Sequence, residues 1–111
     1  MKKNHYIYPA IFSYNSNGIS VEFPDILGCF TSGDTQEEAL KMAKEAMALH
    51  LFKLEKENFE IPVASLLNKL KIEAHQATVL VDVWMPPFRE NMSNSSVSEI
   101  LSTPRWLISP K

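Results

Sequence analysis

The chain has 111 residues, 45% of them hydrophobic, which suits one domain with a modest core and thin stability of its own. Its one cysteine, Cys29, excludes an intramolecular disulfide and argues against a thiolate metal site, so a reducing cytoplasm is the expected setting. Residues 1–60 carry six lysines against nine carboxylates and residues 61–111 five cations against four, so neither half has the dense basic patch that a nucleic-acid binder needs.

Tyr6–Tyr14 is rich in β-branched and aromatic residues, and Ile19–Phe23 alternates apolar with polar at period two. With Asn15-Ser16-Asn17-Gly18 between them, the two segments predict a β-hairpin, and the Asn17-Gly18 pair signals a type I′ turn. Pro9 has no amide to donate, so it is expected at an edge or with its nitrogen facing outward. Pro24 ends the second strand, and Asp25–Gly28 forms a turn into a short third strand at Cys29–Ser32. Gly33-Asp34-Thr35 stops that strand. Thr35 and Glu38 have capping-box spacing, and Asp34 and Glu37 add negative charge where a helix dipole favours it.

The helix is predicted to run to about Lys56. Leu40, Ala43, Met47, His50 and Leu54 recur at helical spacing as its sheet-covering face, while Lys41, Lys44, Glu45, Lys53 and Glu57 fall mainly on the solvated side. Asn58 can close the helix in a left-handed conformation before Ile61-Pro62. One helical turn fits Ser65–Leu70, and Ala77–Met85 is the strongest strand in the chain, with Trp84 read as a core residue. The order β-β-β-α-β predicts an α+β fold, an antiparallel sheet with one long helix on one face and a short C-terminal extension. Residues 1–87 are read as the domain and 88–111 as an appended segment. Within that segment, Asn91–Ser98 reads as a polar connector, followed by a strand-like Ser98–Ser102.

No constellation of catalytic residues emerges. Glu22, Asp25, Asp34, Glu37 and Asp82 lie on or near the strands, but turn and surface roles explain them better than a two-metal nuclease centre does. His5, His50 and His75 lack metal-ligand spacing, Cys29 lacks a neighbouring base, and Gly28 and Gly33 are not a phosphate loop. No catalytic residue, metal or cofactor is expected. No apolar run resembles a signal peptide or a membrane span, and no membrane partner is expected.

The stretch Phe23–Thr35, FPDILGCFTSGDT, with the Glu-Glu-Ala helix start that follows and the closing Ile61-Pro62, resembles the HicB antitoxin family. The resemblance implies a partial ribonuclease H-like core, in which Pro24, Asp25, Gly28, Gly33, Asp34, Thr35 and Glu38 form the structural motif. It also implies a non-enzymatic antitoxin whose partner is a small basic HicA-type toxin that cleaves messenger RNA. Asp25, Asp34 and Glu37 are the candidate partner-binding residues, because an acidic surface suits a basic partner. Thr103-Pro104-Arg105-Trp106-Leu107 is similar to the segment that opens a ribbon-helix-helix module in such proteins. The helices of that module are not found before Lys111, so operator DNA affinity is expected to be weak and not sequence-specific. Self-association is expected, with Ile100 and Trp106 as candidate oligomer contacts. An orphan regulatory module and a metal-dependent nuclease are the rival readings.

Overall fold

The computed structural model describes residues 3–99. Four strands, β1 (His5–Asn15), β2 (Gly18–Glu22), β3 (Phe30–Gly33) and β4 (Gln76–Trp84), form one antiparallel sheet in the order β3-β2-β1-β4. Helix α1 (Gln36–Lys56) packs on one face and α2 (Met85–Glu99) follows β4 directly. The α+β architecture and the β-β-β-α-β order are as the sequence predicts. Of the strand-like Ser98–Ser102, Ser98 and Glu99 are helical, at the end of α2; Ile100, Trp106 and the rest of that segment lie outside the described residues.

Alternation along the strands sorts side chains cleanly. Tyr6, Tyr8, Ala10 and Phe12 of β1, Ile19 and Val21 of β2, and Val81 and Val83 of β4 are buried in one core with Ala39, Ala43, Met47 and Leu51 of α1. On the opposite face Ile7, Leu80 and Trp84 are 47%, 54% and 56% exposed, whereas Pro9 on that same face is fully buried. Trp84 is therefore not a core residue. An unbroken apolar run does not reveal which residue faces inward, and pairing of Trp84 with His5 places it on the open side. The core stripe of α1 is likewise rotated: Leu51 is fully buried, Leu40, His50 and Leu54 are half-buried, and Glu45, expected in solvent, is buried.

Pro9 sits in the central strand, and the register explains how. Tyr14 N–H donates to His75 O and Met85 N–H to Asn4 O, so the hydrogen-bonded pairs of β1 with β4 involve even-numbered β1 residues. Pro9, opposite Leu80, turns its nitrogen away from β4, and pairing with β2 begins only at Ile11. The ring thus occupies a lane that no strand fills.

The hairpin turn differs from expectation. Asn15 pairs with Gly18, leaving Ser16 and Asn17 as the two-residue connection. Gly18 has φ +139, whereas Asn58 is the only non-glycine with positive φ among the described residues. A type I′ turn at Asn17-Gly18 is excluded, because the strand register moves the turn one residue earlier and leaves Gly18 alone to take the positive φ.

Both ends of α1 are closed as predicted. Thr35 Oγ1 accepts from Glu38 N–H at 3.1 Å, and Glu38 Oε1 accepts from Asp34 N–H at 2.9 Å. At the far end Asn58 has φ 60, with Phe59 N–H donating to Leu54 O and Asn58 N–H to Glu55 O, a Schellman closure.

The Asn91–Ser98 stretch is not a connector but lies within α2. Pro86 and Pro87 stand in its first turn, where a missing N–H costs nothing. Met85, Phe88, Arg89 and Met92 recur at offsets three, one and three, and this stripe is what holds the helix down. Met85 and Met92 enter the core and Phe88 packs against it. Arg89 clamps the buried Glu55 through Nε to Oε1 at 3.0 Å and Nη2 to Oε2 at 2.9 Å, and Tyr6 Oη–H donates to the same carboxylate at 3.0 Å. Arg89 also bonds Asn4 Oδ1 at 2.7 Å and the carbonyl of Lys3.

Candidate partner-binding surface

The turn after β2 is built by two glycine- and proline-specific steps. Ile26 N–H donates to Phe23 O with Pro24 in the second position, and Cys29 N–H donates to Ile26 O with Gly28, φ +78, in the third. Ile26 and Cys29 point into the core while Leu27, at the tip, is 97% exposed. Burial pushes the Cys29 thiol up to about 12, which makes it an inert core residue rather than a nucleophile.

Asp25 joins this turn to a distant loop. Its Oδ2 accepts from Ser65 N–H at 2.8 Å and its Oδ1 from the Ser65 hydroxyl at 2.6 Å. The Tyr8 hydroxyl donates to the carbonyl of Pro62 and fixes the same loop from below. Burial raises the Tyr8 phenol to about 12, keeping it a donor at all ordinary pH.

These ties bring the 24–29 turn, the end of α1 and the 59–67 loop together around a groove of about 300 Å³. Leu27, Leu54 and Phe59 supply its apolar lining, and Asp25, Glu57 and Glu60 its carboxylates, with Lys53 as the one lysine on the wall. His50 Nδ1 lies 3.0 Å from Ala46 O, so that nitrogen carries the proton and Nε2 is left for the groove. Beside the groove, Phe59, Val63 and Leu66 are 60%, 86% and 64% exposed. Large side chains exposed together in this way mark an interaction surface.

The structure separates the three acidic candidates. Asp25 lines the groove with its carboxylate already engaged by Ser65, whereas Asp34 and Glu37 are exposed at the start of α1. A helix of this length puts about 30 Å between its ends, so Asp34 and Glu37 belong to another part of the surface. Glu57, Glu60, Leu27 and Phe59 escape sequence reasoning because only the fold brings the turn and loop side by side.

The open face of the sheet carries a larger, shallower depression of about 590 Å³ lined by Ser13, Ser20, Ser32, Glu22 and Phe30. Asp82, on the same face, is paired with His5 at 3.1 Å and with Lys44 at 3.6 Å. The His5 hydrogen bond, and then the Lys44 charge, hold its carboxyl below the usual carboxylate range. Among the described residues no group of three or more His, Cys, Asp or Glu could hold a metal ion, and no helix is long and apolar enough to cross a membrane.

A family model describing the HicB-like antitoxin of bacterial toxin-antitoxin systems matches residues 8–103. The chain belongs to the HicB-like antitoxin family. It is 32% identical over 98 residues to Antitoxin HicB 2 of Photorhabdus laumondii, a match covering 86% of this chain and 70% of the relative. Among solved structures, a toxin-antitoxin complex from Streptococcus pneumoniae superposes with a TM-score of 0.72 at 22% identity, covering 94% of this chain and 84% of the other. A HicA3 and HicB3 toxin-antitoxin complex superposes at 0.56 with 28% identity, covering 68% of this chain and 94% of that one. The motif from Pro24 to Glu38 thus supports a HicB-type antitoxin fold, and the groove sits where that motif meets the end of α1.

Proposed function

We propose that this HicB-type antitoxin neutralises a HicA-type, mRNA-cleaving toxin by docking it on the groove formed by Leu27, Leu54, Phe59, Glu57 and Glu60. The observation that carries the reading is the pairing of strongly exposed apolar side chains with a carboxylate rim. A small basic toxin meets both needs: apolar anchors hold it, and opposite charge steers and orients it. The likeness to a HicA3 and HicB3 complex supports a toxin as the partner class. The role is non-enzymatic, a reading supported by the dispersal of the carboxylates: Asp25 is spent on Ser65, Asp82 on His5 and Lys44, and Glu38 on the helix cap.

The test is a titration of a cognate HicA-type toxin against the full chain and its Leu27→Ala and Phe59→Ala variants. Each variant should lose at least tenfold in affinity, about 1.4 kcal/mol, with little change in thermal stability, since both side chains lie largely in solvent. Unchanged affinity in both variants would place the toxin elsewhere.

A further inference from the structure

Helix α1 sends His50, Lys53, Leu54 and Glu57 to the groove at helical spacing, while Asp25 reaches it from the 24–29 turn and Glu60 from the 59–67 loop. His50 differs from the other groove residues in that the helix itself sets its tautomer. Its Nδ1 lies 3.0 Å from Ala46 O, and a carbonyl oxygen only accepts, so Nδ1 must carry a proton. The neutral ring then has its one free lone pair on Nε2. That atom faces a wall of three carboxylates, Asp25, Glu57 and Glu60, which cannot donate to it, and one lysine, Lys53, a single turn away on the same helix. Alone, such a wall favours a second proton on the ring, because opposite charge stabilises imidazolium. A cationic partner seated against the same wall favours the neutral ring. The empty and the occupied groove thus call for opposite charge states of one side chain.

We infer that His50 is the specificity-determining residue of this surface: its neutral Nε2 accepts a hydrogen bond from an ammonium or guanidinium group of the toxin, and protonation of the ring releases the toxin. The inference rests on the toxin docking at the groove. Its sign follows from the charges. A cation held between Nε2, Glu57 and Glu60 opposes imidazolium, so docking expels the Nε2 proton to solvent. Affinity is therefore full above the range in which histidine titrates and falls as pH drops through it. Carboxylates ordinarily titrate lower, so a change of affinity across the histidine range reports the imidazole rather than Asp25, Glu57 or Glu60. Protonation acts twice: it removes the acceptor, since both ring nitrogens then donate, and it sets a positive charge beside the incoming cation.

The experiment titrates a cognate HicA-type toxin against the full chain, His50→Gln and His50→Lys at about pH 7.5 and about pH 5.5, with circular dichroism confirming that each chain is folded at both. The wild-type chain should lose about tenfold in affinity at the lower pH. His50→Gln keeps an acceptor near the place of Nε2 but does not titrate, so its affinity should change by less than about twofold. His50→Lys carries a fixed charge and should bind at both pH values as weakly as the wild-type chain does in acid. Any histidine of the toxin titrates against all three chains and cancels from their ratios. A wild-type affinity that does not fall, a His50→Gln variant that falls as the wild type does, or a His50→Lys variant that binds as tightly as the wild type at the higher pH would each overturn the inference. If Leu27→Ala and Phe59→Ala still weaken binding in that case, the groove stands and the role of His50 alone falls; if neither does, both fall.

Discussion

Two glycines in the family motif are required for different physical reasons, and substitution separates them. A Cβ on Gly28 would meet nothing within 4 Å, but its φ of +78 belongs to the left-handed region. A Cβ on Gly33 would stand 2.5 Å from the Ala39 nitrogen and 2.7 Å from its Cα, with no unusual φ to blame. Gly28→Ala should therefore cost about 1–2 kcal/mol and be largely relieved in Gly28→Asn, since Asn tolerates that conformation. Gly33→Ala should cost about 1–3 kcal/mol and be relieved by no side chain, because β3 must move off the helix start. Urea midpoints of the three variants check this. Glu45 offers the opposite sign. It is 8% exposed with Oε1 unpartnered, and desolvation raises its carboxyl pKa against the pull of Lys41. An acid whose pKa is raised on folding holds its proton longer in the folded state, so stability is lost as pH climbs through that pKa. Glu45→Gln should thus stabilise the protein at pH 7 by about 1 kcal/mol, with the gain shrinking as pH falls through the raised pKa and gone below 4.5, the ordinary carboxyl value. A gain that persists undiminished at low pH would assign the effect to packing instead.

At the scale of elements, α1 was legible because its signals are local. Thr35, Glu38 and Asn58 each act within a few residues, and all three do what their chemistry implies. Thr35→Ala should cost about 0.5–2 kcal/mol in a denaturation titration without altering the fold. α2 was illegible because what holds it is not local. Asparagine and serine are poor helix formers, and the compensating contact, Arg89 with Glu55, joins residues 34 apart in sequence. The same holds for Trp84: nothing in the run Ala77–Met85 says which side faces the helix until β1 fixes the register. The groove was half legible. Asp25 and the turn were visible, but its tie to Ser65 spans 40 residues. Arg89→Ala should be costly, about 3–5 kcal/mol, because Glu55 stays buried without its cation. Glu55→Gln with Arg89→Met should recover much of that loss, and calorimetry of the single and double variants measures the difference.

Across the whole molecule, the sheet is closed by its most distant strands. β1, at the start of the chain, pairs along most of its length with β4, which is made last, whereas β2, β3 and α1 assemble on near neighbours. Between α1 and β4 runs the connection from Glu57 to His75, whose only regular element is the short 3-10 turn Leu67–Lys69 and whose side chains lie largely in solvent. The Asp25–Ser65 tie and the Tyr8–Pro62 bond hold its first half. Such a segment offers a protease extended backbone. Limited proteolysis should cut first between Leu66 and Ala74, and toxin seated on the groove should slow that cut. Because the cut severs the covalent link that makes β4 a neighbour of β1, one nick would turn an intramolecular pairing into a bimolecular one, at the mercy of dilution. The same loop that frames the partner surface thereby sets how long the molecule survives once that partner is gone: a lifetime written into the order in which the strands are joined.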